Sequence, residues 1–266
     1  MVTHSQKENA FLMKLENLHI GYDNFTVVRN LNLEFKLGSL HTIVGINGIG
    51  KSTLIKTICG ELQSIEGSVS IEGEFIENIS FKELAKHISV VHTSREENKF
   101  LSVYELVQMG RYPYLNWIGK LTENDKQIID QALALFEITE FKNQKCFELS
   151  DGQYQKVLIA RAFAQDTPYI ILDEPSTHLD LYHKINLFKI LSNLAHNYNK
   201  CIILSTHEIE RAIELSDQML VLLKDEPYFD TPQNLIDKEV FQRIFPSEMV
   251  NFNPHSKSFV LKDIHP

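Results

Sequence analysis

The sequence predicts an α/β fold in which strands and helices alternate around a parallel sheet. Three short apolar runs, HTIVG at 41–45, YIILD at 169–173 and CIILST at 201–206, have the length and β-branched content of buried strands. The last two are separated by LYHKINLFKILSNLAHNY, whose apolar residues recur at helical spacing. Strands that alternate with helices in this way are typical of a parallel sheet.

The composition excludes several classes of protein. At 266 residues with 43% apolar content, the chain is long enough for one large α/β domain or two small ones. No apolar run approaches the roughly 18 to 20 residues that span a bilayer, and the N-terminus lacks a signal peptide's pattern, so we expect a cytoplasmic protein. The formal charge of −9 argues against nucleic acid as a partner. We predict that the three widely separated cysteines, Cys59, Cys146 and Cys201, are reduced structural thiols.

Along the chain, three sections differ in character. Residues 12–44 alternate short β-like runs with turns, and EGSVSIEGEFI at 66–76 is predicted to form a hairpin. Residues 100–165 are mainly helical, and buried strands return from residue 168. The predicted N-terminal caps in the helical section are Ser102 with Glu105 and Thr122 with Asp125.

The stretch GINGIGKST, residues 45–53, lies between a predicted strand and a predicted helix. Such a loop aims backbone N–H groups and the positive end of a helix dipole at one point, which suits phosphate oxygens. The glycines that permit close backbone approach are Gly45, Gly48 and Gly50. Lys51 supplies a positive charge for the outer phosphates, and Ser52 can ligate Mg²⁺. The pattern is interpreted as a phosphate-binding loop, with an ordinary Gly-rich turn as the alternative.

Two strand ends carry polar residues that such a loop would need. Hydrolysis requires an acid to hold Mg²⁺ and a group that activates water, and YIILDEP supplies Asp173 and Glu174 for these two roles. An acidic turn after a strand is the alternative. The run CIILSTH ends in His207, which can contact a γ-phosphate, although a histidine in this position is often just a polar strand end.

A second anion site is predicted at LSDGQYQKVLIARAFAQ, residues 149–165. Ser150 can cap the helix that follows, whose N-terminus attracts anions. One chain rarely needs two anion sites for one nucleotide. In a dimer, however, the helix N-terminus after Ser150 in one copy could bind the nucleotide held by the phosphate loop of the other copy. The pattern thus predicts ATP held between two subunits of a symmetric dimer. An ordinary capped helix is the alternative.

Taken in order, five stretches resemble the motifs of ATP-binding cassette (ABC) ATPases. They are GINGIGKST as Walker A, LSDGQ as the signature, YIILDEP as Walker B, STHLD at 176–180 as the D-loop, and the switch histidine His207. The resemblance covers about residues 12–225. It implies a P-loop NTPase fold with an N-terminal antiparallel β subdomain and an inserted α-helical subdomain. The implied boundaries are an ABC ATPase domain at 12–240, a helical insertion at about 95–165 and a C-terminal tail at 241–266.

The resemblance also implies roles for individual residues. The implied catalytic residues are Glu174, His207 and Lys51, and the implied metal ligands are Ser52 and Asp173. The residues implied to bind ATP are Tyr22, Gly45, Asn47, Gly48, Gly50, Lys51, Ser52, Thr53, Ser150, Gly152, Gln153 and Asp180. Tyr22 would stack on adenine, because it lies upstream of Walker A where the family places an aromatic residue; a turn tyrosine is the alternative. The signature residues would reach the partner's ATP, and Asp180 would couple the two sites.

At two positions the chain departs from the family pattern. Asp151 replaces the first glycine of the usual LSGGQ and adds negative charge near a phosphate. Because Asp tolerates unusual backbone angles, we expect activity to survive. Thr93 occupies the place of the family's glutamine after the strand that precedes the helical insertion. Its hydroxyl is too short to reach the metal without a bridging water or a shift of the loop, so coupling to a membrane partner is the implied property that this departure puts in doubt. Glu96 and Glu97 could substitute for the glutamine, with a solvated turn as the alternative.

The helical section points to a physiological role. Residues 101–133 resemble the helical subdomain of ATPases that energise bacterial uptake of iron-siderophore, haem or cobalamin. An aromatic turn there would suit docking of a permease helix, with a subdomain core as the alternative; its residues are Tyr112, Tyr114 and Trp117.

We therefore predict the ATP-hydrolysing subunit of an importer for an iron-siderophore, haem or related chelate. ATP and Mg²⁺ are the expected cofactors. The expected partners are a second copy, integral membrane permease subunits and, indirectly, a substrate-binding protein. The expected location is the cytoplasmic face of the inner membrane, where the subunit would be peripheral. The alternatives are a soluble cassette ATPase of iron-sulfur cluster assembly type and a P-loop kinase.

Overall fold

The computed structural model describes residues 12–23, 25–92, 100–115, 119–177, 179–245 and 250–261. In chain order its strands are β1 Leu12–Tyr22, β2 Phe25–Lys36, β3 Ser39–Val44, β4 Glu66–Ile71, β5 Glu74–Phe75, β6 Ile88–Val91, β7 Tyr169–Asp173, β8 Cys201–Ser205, β9 Gln218–Val221, β10 Tyr228–Asp230, β11 Val250–Asn253 and β12 Ser258–Leu261. Its α-helices are α1 Lys51–Ile58, α2 Phe81–His87, α3 Val103–Gln108, α4 Glu123–Leu135, α5 Asp151–Ala164, α6 Leu181–Tyr198, α7 Ile209–Leu215 and α8 Pro232–Asp237.

The chain forms two compact units. Unit 1 consists of residues 1–78 and 188–266, and unit 2 of residues 79–187. The α/β fold class is confirmed, with an antiparallel β section in unit 1 and a mainly helical unit 2. The domain boundaries at residue 240 and at about 95–165 remain predictions.

The described residues of unit 1 contain three groups of strands, of which the smallest is the antiparallel β11–β12 pair. The first is antiparallel in the order β2-β1-β4-β5, and the β4–β5 pair confirms the predicted hairpin. The second has the order β10-β9-β3-β8, in which β3 runs parallel to both β8 and β9. Both β3 and β8 are buried nearly throughout. The sequence of β8 is accordingly a nearly continuous apolar run, whereas β3 also buries the polar residues His41 and Thr42.

Residues near the C-terminus complete an apolar core in unit 1. Phe252 of β11 packs at 5.0 Å from Phe241 and at 5.2 Å from Phe259 of β12, measured between ring centroids. The same cluster includes Ile209 and Leu235, on α7 and α8. Burial of these rings provides much of the local driving force for packing the C-terminal segment against α7.

Unit 2 pairs β6 with β7 in parallel and carries helices α2 to α5. Both predicted capping pairs are confirmed as reciprocal capping boxes. Ser102 Oγ accepts from Glu105 N–H at 3.2 Å, and Thr122 Oγ1 accepts from Asp125 N–H at 3.1 Å. These local bonds satisfy amides that the first turns of α3 and α4 would otherwise leave unpaired.

A buried ion pair joins the aromatic turn to α4. Arg111 is 4% exposed, and its Nε donates to Asp125 Oδ1 at 2.9 Å while Nη1 donates to the Ala164 carbonyl at 2.8 Å. The guanidinium carbon lies 4.1 Å from the ring centroid of Tyr114. Tyr112 remains 54% exposed, and Trp117 lies outside the described residues. The turn therefore contributes both to packing and to an accessible aromatic surface.

The three cysteines are free and buried, which confirms the prediction of reduced thiols. Burial raises the pKa of the Cys146 thiol to about 11 and that of Cys201 well above its usual value. Among the described residues, the structure shows no helix with the length and apolar character to cross a membrane.

Replacing Asp125 with alanine should lower the free energy of unfolding by about 3–5 kcal/mol, because Arg111 would stay buried without its counter-charge. Urea unfolding followed by circular dichroism measures this loss. The matched control is Glu123→Ala on the same helical turn, where an exposed ion pair with Lys126 contributes little. Equal losses in the two variants would contradict a structural role for the buried pair.

Candidate functional site

The residues assigned to a nucleotide site fall in both units. Unit 1 holds Tyr22, the loop of residues 45–53 and His207. Unit 2 holds the Walker B, signature and D-loop residues, which are Asp173, Glu174, Ser150, Gly152, Gln153 and Asp180. Within each unit, the structure shows which of these residues lie close together.

The loop after β3 has the strand–loop–helix form that its sequence predicts. Gly45, Gly48 and Gly50 have φ angles of 152°, 76° and 115°, which glycine adopts far more readily than other residues. A Cβ atom on Gly50 would lie 2.7 Å from Val27 Cγ1 and 2.9 Å from Val28 Cγ2. The shape of the loop therefore depends on Gly50 for both its conformation and its close packing against β2.

Lys51 folds back over this loop. Its side chain is 4% exposed, and Nζ donates to the carbonyls of Gly45 at 3.1 Å and Ile46 at 3.3 Å. Gly50 caps α1 without a side-chain oxygen, so the cap residue offers no acceptor to the first amides of the helix. Helix-end amides beside a buried ammonium group are a donor set that fits phosphate oxygens.

Polar side chains around the loop are accessible. Asn47 and Ser52 are exposed, whereas Thr53 is buried in the first turn of α1. The hydroxyl of Ser52 therefore lies at the solvent-accessible start of the helix, as a metal ligand requires.

His207 follows the strand beside the loop's own strand. In the parallel β3–β8 ladder, Ile43 is the partner of Ser205, so both strands end at the same edge of the sheet. The next residue, Thr206, donates its N–H to the Ile43 carbonyl at 3.1 Å, and its Oγ1 accepts from Glu208 N–H at 3.0 Å. His207, between them, is exposed at the edge from which the phosphate loop also begins.

The predicted adenine-stacking residue ends β1. Tyr22 is 48% exposed and is paired with Phe25 across the β1–β2 hairpin. Phe25 is 72% exposed, so the end of this hairpin presents two aromatic rings. The sequence analysis assigned only Tyr22 to adenine stacking, although Phe25, three positions later, is a second aromatic residue that could have been considered for the same role.

In unit 2, β7 ends at the two Walker B acids. Both carboxylates are partly exposed, and Glu174 has a left-handed backbone with φ of 48°. Its carbonyl accepts from Thr177 Oγ1 at 2.8 Å, which holds the turn after the strand. Nine other described non-glycine residues also have a positive φ, so this conformation alone does not mark a functional position. The neighbouring strand β6 ends at Val91, and Thr93, two positions on, lies outside the described residues.

The signature begins helix α5, and its predicted cap is confirmed. Ser150 Oγ accepts from Gln153 N–H at 3.3 Å, and Gln153 Oε1 accepts from Ser150 N–H at 2.9 Å. Asp151 occupies the first helical position with ordinary helical geometry, where its charge suits the positive end of the helix dipole. The expectation that Asp151 relies on tolerance of unusual backbone angles is therefore wrong; a first-turn helical position accepts aspartate directly.

Asp180 of the D-loop caps helix α6. Its Oδ1 accepts from the backbone N–H of His183 at 2.9 Å and lies 2.8 Å from His183 Nδ1. These two hydrogen bonds, the backbone one first, lower the pKa of the Asp180 carboxyl. Sequence reasoning missed His183, although its position three residues after a helix-capping aspartate is the usual spacing for such a contact.

Comparisons with known proteins find ABC transporter ATP-binding proteins. The family model described as ABC transporter matches residues 28–177. An uncharacterized ABC transporter ATP-binding protein of Methanocaldococcus jannaschii is 37% identical, covering 95% of this chain and 87% of that protein. The iron(3+)-hydroxamate import ATP-binding protein FhuC of Bacillus subtilis is 35% identical, covering 80% of this chain and 79% of FhuC.

Solved structures are also similar. A structure described as a metal-chelate type ABC transporter in an inward-facing conformation matches with a TM-score of 0.78 and 28% identity. The match covers 94% of this chain and 95% of that one. The similarity therefore extends over nearly the whole chain and not only over the motifs.

Replacing Gly50 with alanine should lower the free energy of unfolding by roughly 1–3 kcal/mol, because the residue would be strained at a φ of 115° and would meet two valines. It should also weaken binding of a fluorescent ATP analogue, since the loop amides would move. Urea unfolding and fluorescence titration provide the two measurements.

The matched control is Gly73→Ala in the β4–β5 turn, where φ is 85° and nothing lies within 4 Å of the added Cβ. That variant carries backbone strain without a packing clash. If both variants lost the same stability and Gly50→Ala bound nucleotide normally, the packing of Gly50 against β2 would not matter.

Proposed function

The chain belongs to the ABC transporter family of ATP-binding proteins, and on that premise we propose that it energises import of an iron-siderophore, haem or related chelate. It is an ABC-type ATPase. The observation that carries the proposal is its 35% identity over 212 residues to FhuC, a protein named for iron(3+)-hydroxamate import. The similarity to a metal-chelate type transporter, also across most of the chain, supports the same cargo class.

The loop of unit 1 would bind the phosphates of ATP. The buried ammonium group of Lys51 would exchange its bonds to the loop carbonyls for bonds to phosphate oxygens, and the amides at the start of α1 would donate alongside it. Exposed Ser52 would provide a ligand for Mg²⁺, which neutralises phosphate charge, and His207 would contact the γ-phosphate. Tyr22 would stack on adenine.

The Walker B acids of unit 2 would carry the hydrolytic step. Asp173 would hold Mg²⁺ directly or through water, and Glu174 would take a proton from the attacking water. The turn held by Thr177 sets the backbone from which the Glu174 carboxylate projects.

The active form would be a homodimer. The start of α5 is an exposed helix N-terminus with Ser150 at its tip, and it would bind the phosphates of the partner's ATP. ATP would thus close the dimer, and hydrolysis would reopen it, so that a permease alternates between two states. Asp180, at the start of α6, would couple the two nucleotide sites.

Exposed aromatic residues in unit 2 support docking to a membrane partner. Phe100 is 84% exposed and Phe147 is 56% exposed, with ring centroids 6.1 Å apart, and Tyr112 is also exposed. Exposed aromatic clusters are common at protein interfaces. The permease subunits would bind here, holding the ATPase on the cytoplasmic face of the membrane, while a substrate-binding protein would act through the permease.

Replacing Glu174 with glutamine should lower ATP turnover by roughly a hundredfold or more, because the general base is lost while the shape of the side chain is kept. The variant should still bind ATP and should accumulate as a dimer. Phosphate release and light scattering on a sizing column give the two readouts.

The control for this variant is Glu137→Gln, which removes an exposed carboxylate of the same unit that is paired only at the surface with Lys156. Its turnover should match that of the parent. An unchanged rate in Glu174→Gln would contradict the assigned role of Glu174.

Uptake tests the cargo class. Cells carrying Lys51→Ala at the chromosomal locus should lose uptake of one labelled substrate among ferric siderophore, haem and cobalamin, while the other two are imported normally. Lys56→Ala, an exposed lysine in the last turn of the same helix, is the control and should import all three.

Normal uptake of all three in a strain without redundant importers would contradict the iron-chelate assignment. Fractionation then distinguishes the classes that are left. A transport ATPase sediments with membranes and is released by carbonate, whereas a soluble ATPase of the iron-sulfur assembly type stays in the supernatant.

A further inference from the structure

His183 links the D-loop to the signature helix within unit 2. On one side, its Nδ1 lies 2.8 Å from Asp180 Oδ1. Because hydrogen bonding lowers the pKa of Asp180, that carboxylate is ionised at neutral pH and can only accept, so Nδ1 is the atom that carries the proton. The ring is thereby fixed in one orientation by a charge-assisted hydrogen bond.

On its other side, the same ring lies against Gly152. A Cβ atom added to Gly152 would lie 2.3 Å from His183 Cδ2 and 2.7 Å from Nε2. Real Cβ atoms do not approach other atoms this closely, so any larger residue would have to displace the imidazole.

The three atoms nearest to an added Cβ at Gly152 all belong to the His183 ring, so the steric pressure for glycine comes from that ring. Gly152 lies in the first turn of α5 and has no left-handed φ, so its backbone conformation would accept alanine. Alanine favours a helix more than glycine does, so the close approach of the imidazole is the steric feature that accounts for glycine here. The ring therefore sets the distance between two motifs that are separate in sequence.

We propose that His183 is a positioning residue that holds Asp180 and the signature turn at Gly152 as one rigid piece. This role rests on the proposed function, because the two motifs act together only when ATP closes a dimer. Loss of the ring would leave the phosphate loop of unit 1 intact but would let the signature turn and the D-loop move independently. The effect should fall on ATP-driven dimerisation and not on nucleotide binding by a single subunit.

A mutant cycle at Gly152 and His183 tests the contact in the nucleotide-free protein. Gly152→Ala should lower the urea midpoint of the parent, whereas in a His183→Ala background the same change should be neutral or stabilising. This non-additivity is the signature of a direct clash. Equal losses in both backgrounds would overturn the contact as the reason for glycine.

The positioning role is tested in a Glu174→Gln background. Adding His183→Ala should weaken ATP-dependent dimerisation by roughly tenfold in Kd, measured by sedimentation, while the Kd of the monomer for a fluorescent ATP analogue stays within about twofold. Adding His183→Asn should restore most of the dimerisation, since the Asn amide can donate from the place of Nδ1. Adding His183→Gln, with its amide nearer the place of Nε2, should not.

The outcomes separate the two proposals. If the Glu174→Gln parent does not dimerise with ATP, the proposed function fails, and the role of His183 fails with it. If the parent dimerises and His183→Ala dimerises equally well, only the inference about His183 is overturned. If monomer binding of nucleotide falls along with dimerisation, His183 has a general structural role and the positioning assignment is wrong.

Discussion

Two backbone hydrogen bonds at the end of β3 determine the geometry of the phosphate loop. The Ile43 carbonyl accepts from Thr206 N–H at 3.1 Å, and the Val44 carbonyl accepts from Leu222 N–H at 2.9 Å. They extend the parallel ladders to β8 and β9 past the ends of those strands. The loop therefore begins from a point held on both sides, and it needs little further ordering to present its amides to an anion.

The same anchoring explains the chemistry around the loop. His207 comes directly after Thr206, so the hydrogen bond that ends β8 also sets the position of the switch histidine. On the opposite side, the Leu222 carbonyl would lie 2.7 Å from a Cβ on Gly45, which leaves room only for glycine. Buried strands thus provide a rigid support, and the reactive groups project from their ends, as is usual in α/β proteins.

In unit 2 two arginines, Arg111 buried and Arg161 partly buried, hold the C-terminal turn of the signature helix. Arg161 of α5 donates from Nη2 to the Val90 carbonyl of β6 at 3.0 Å, and Arg111 donates to the carbonyl of Ala164 in the same last turn of the helix. Burial lowers the pKa of Arg161. A buried guanidinium bonded to a carbonyl ties neighbouring elements together strongly, since breaking the bond would leave a charge unpaired. These contacts fix the C-terminal turn of α5, whereas its N-terminus, with Ser150, is held by its own capping box.

The helices, strands and phosphate loop could be predicted from the sequence because they depend on local interactions. The capping boxes at Ser102, Thr122 and Ser150 each join residues three positions apart, so both residues of each box can be identified from the sequence. The strand–loop–helix form around Lys51, the buried strands and the β4–β5 hairpin follow from patterns of comparable range. The fold class and the motif positions could be predicted for this reason.

Contacts between residues far apart in the chain were decided only by tertiary structure. No local sequence pattern indicates three of these contacts. They are the placement of β3 between β8 and β9, the packing of Gly50 against Val27 and the close approach of the His183 ring to Gly152. The sequence by itself determined which residues could form strands, caps and a phosphate loop, because those depend on near neighbours. Tertiary structure decided which of them meet, because strand order and close approach depend on how the whole chain packs.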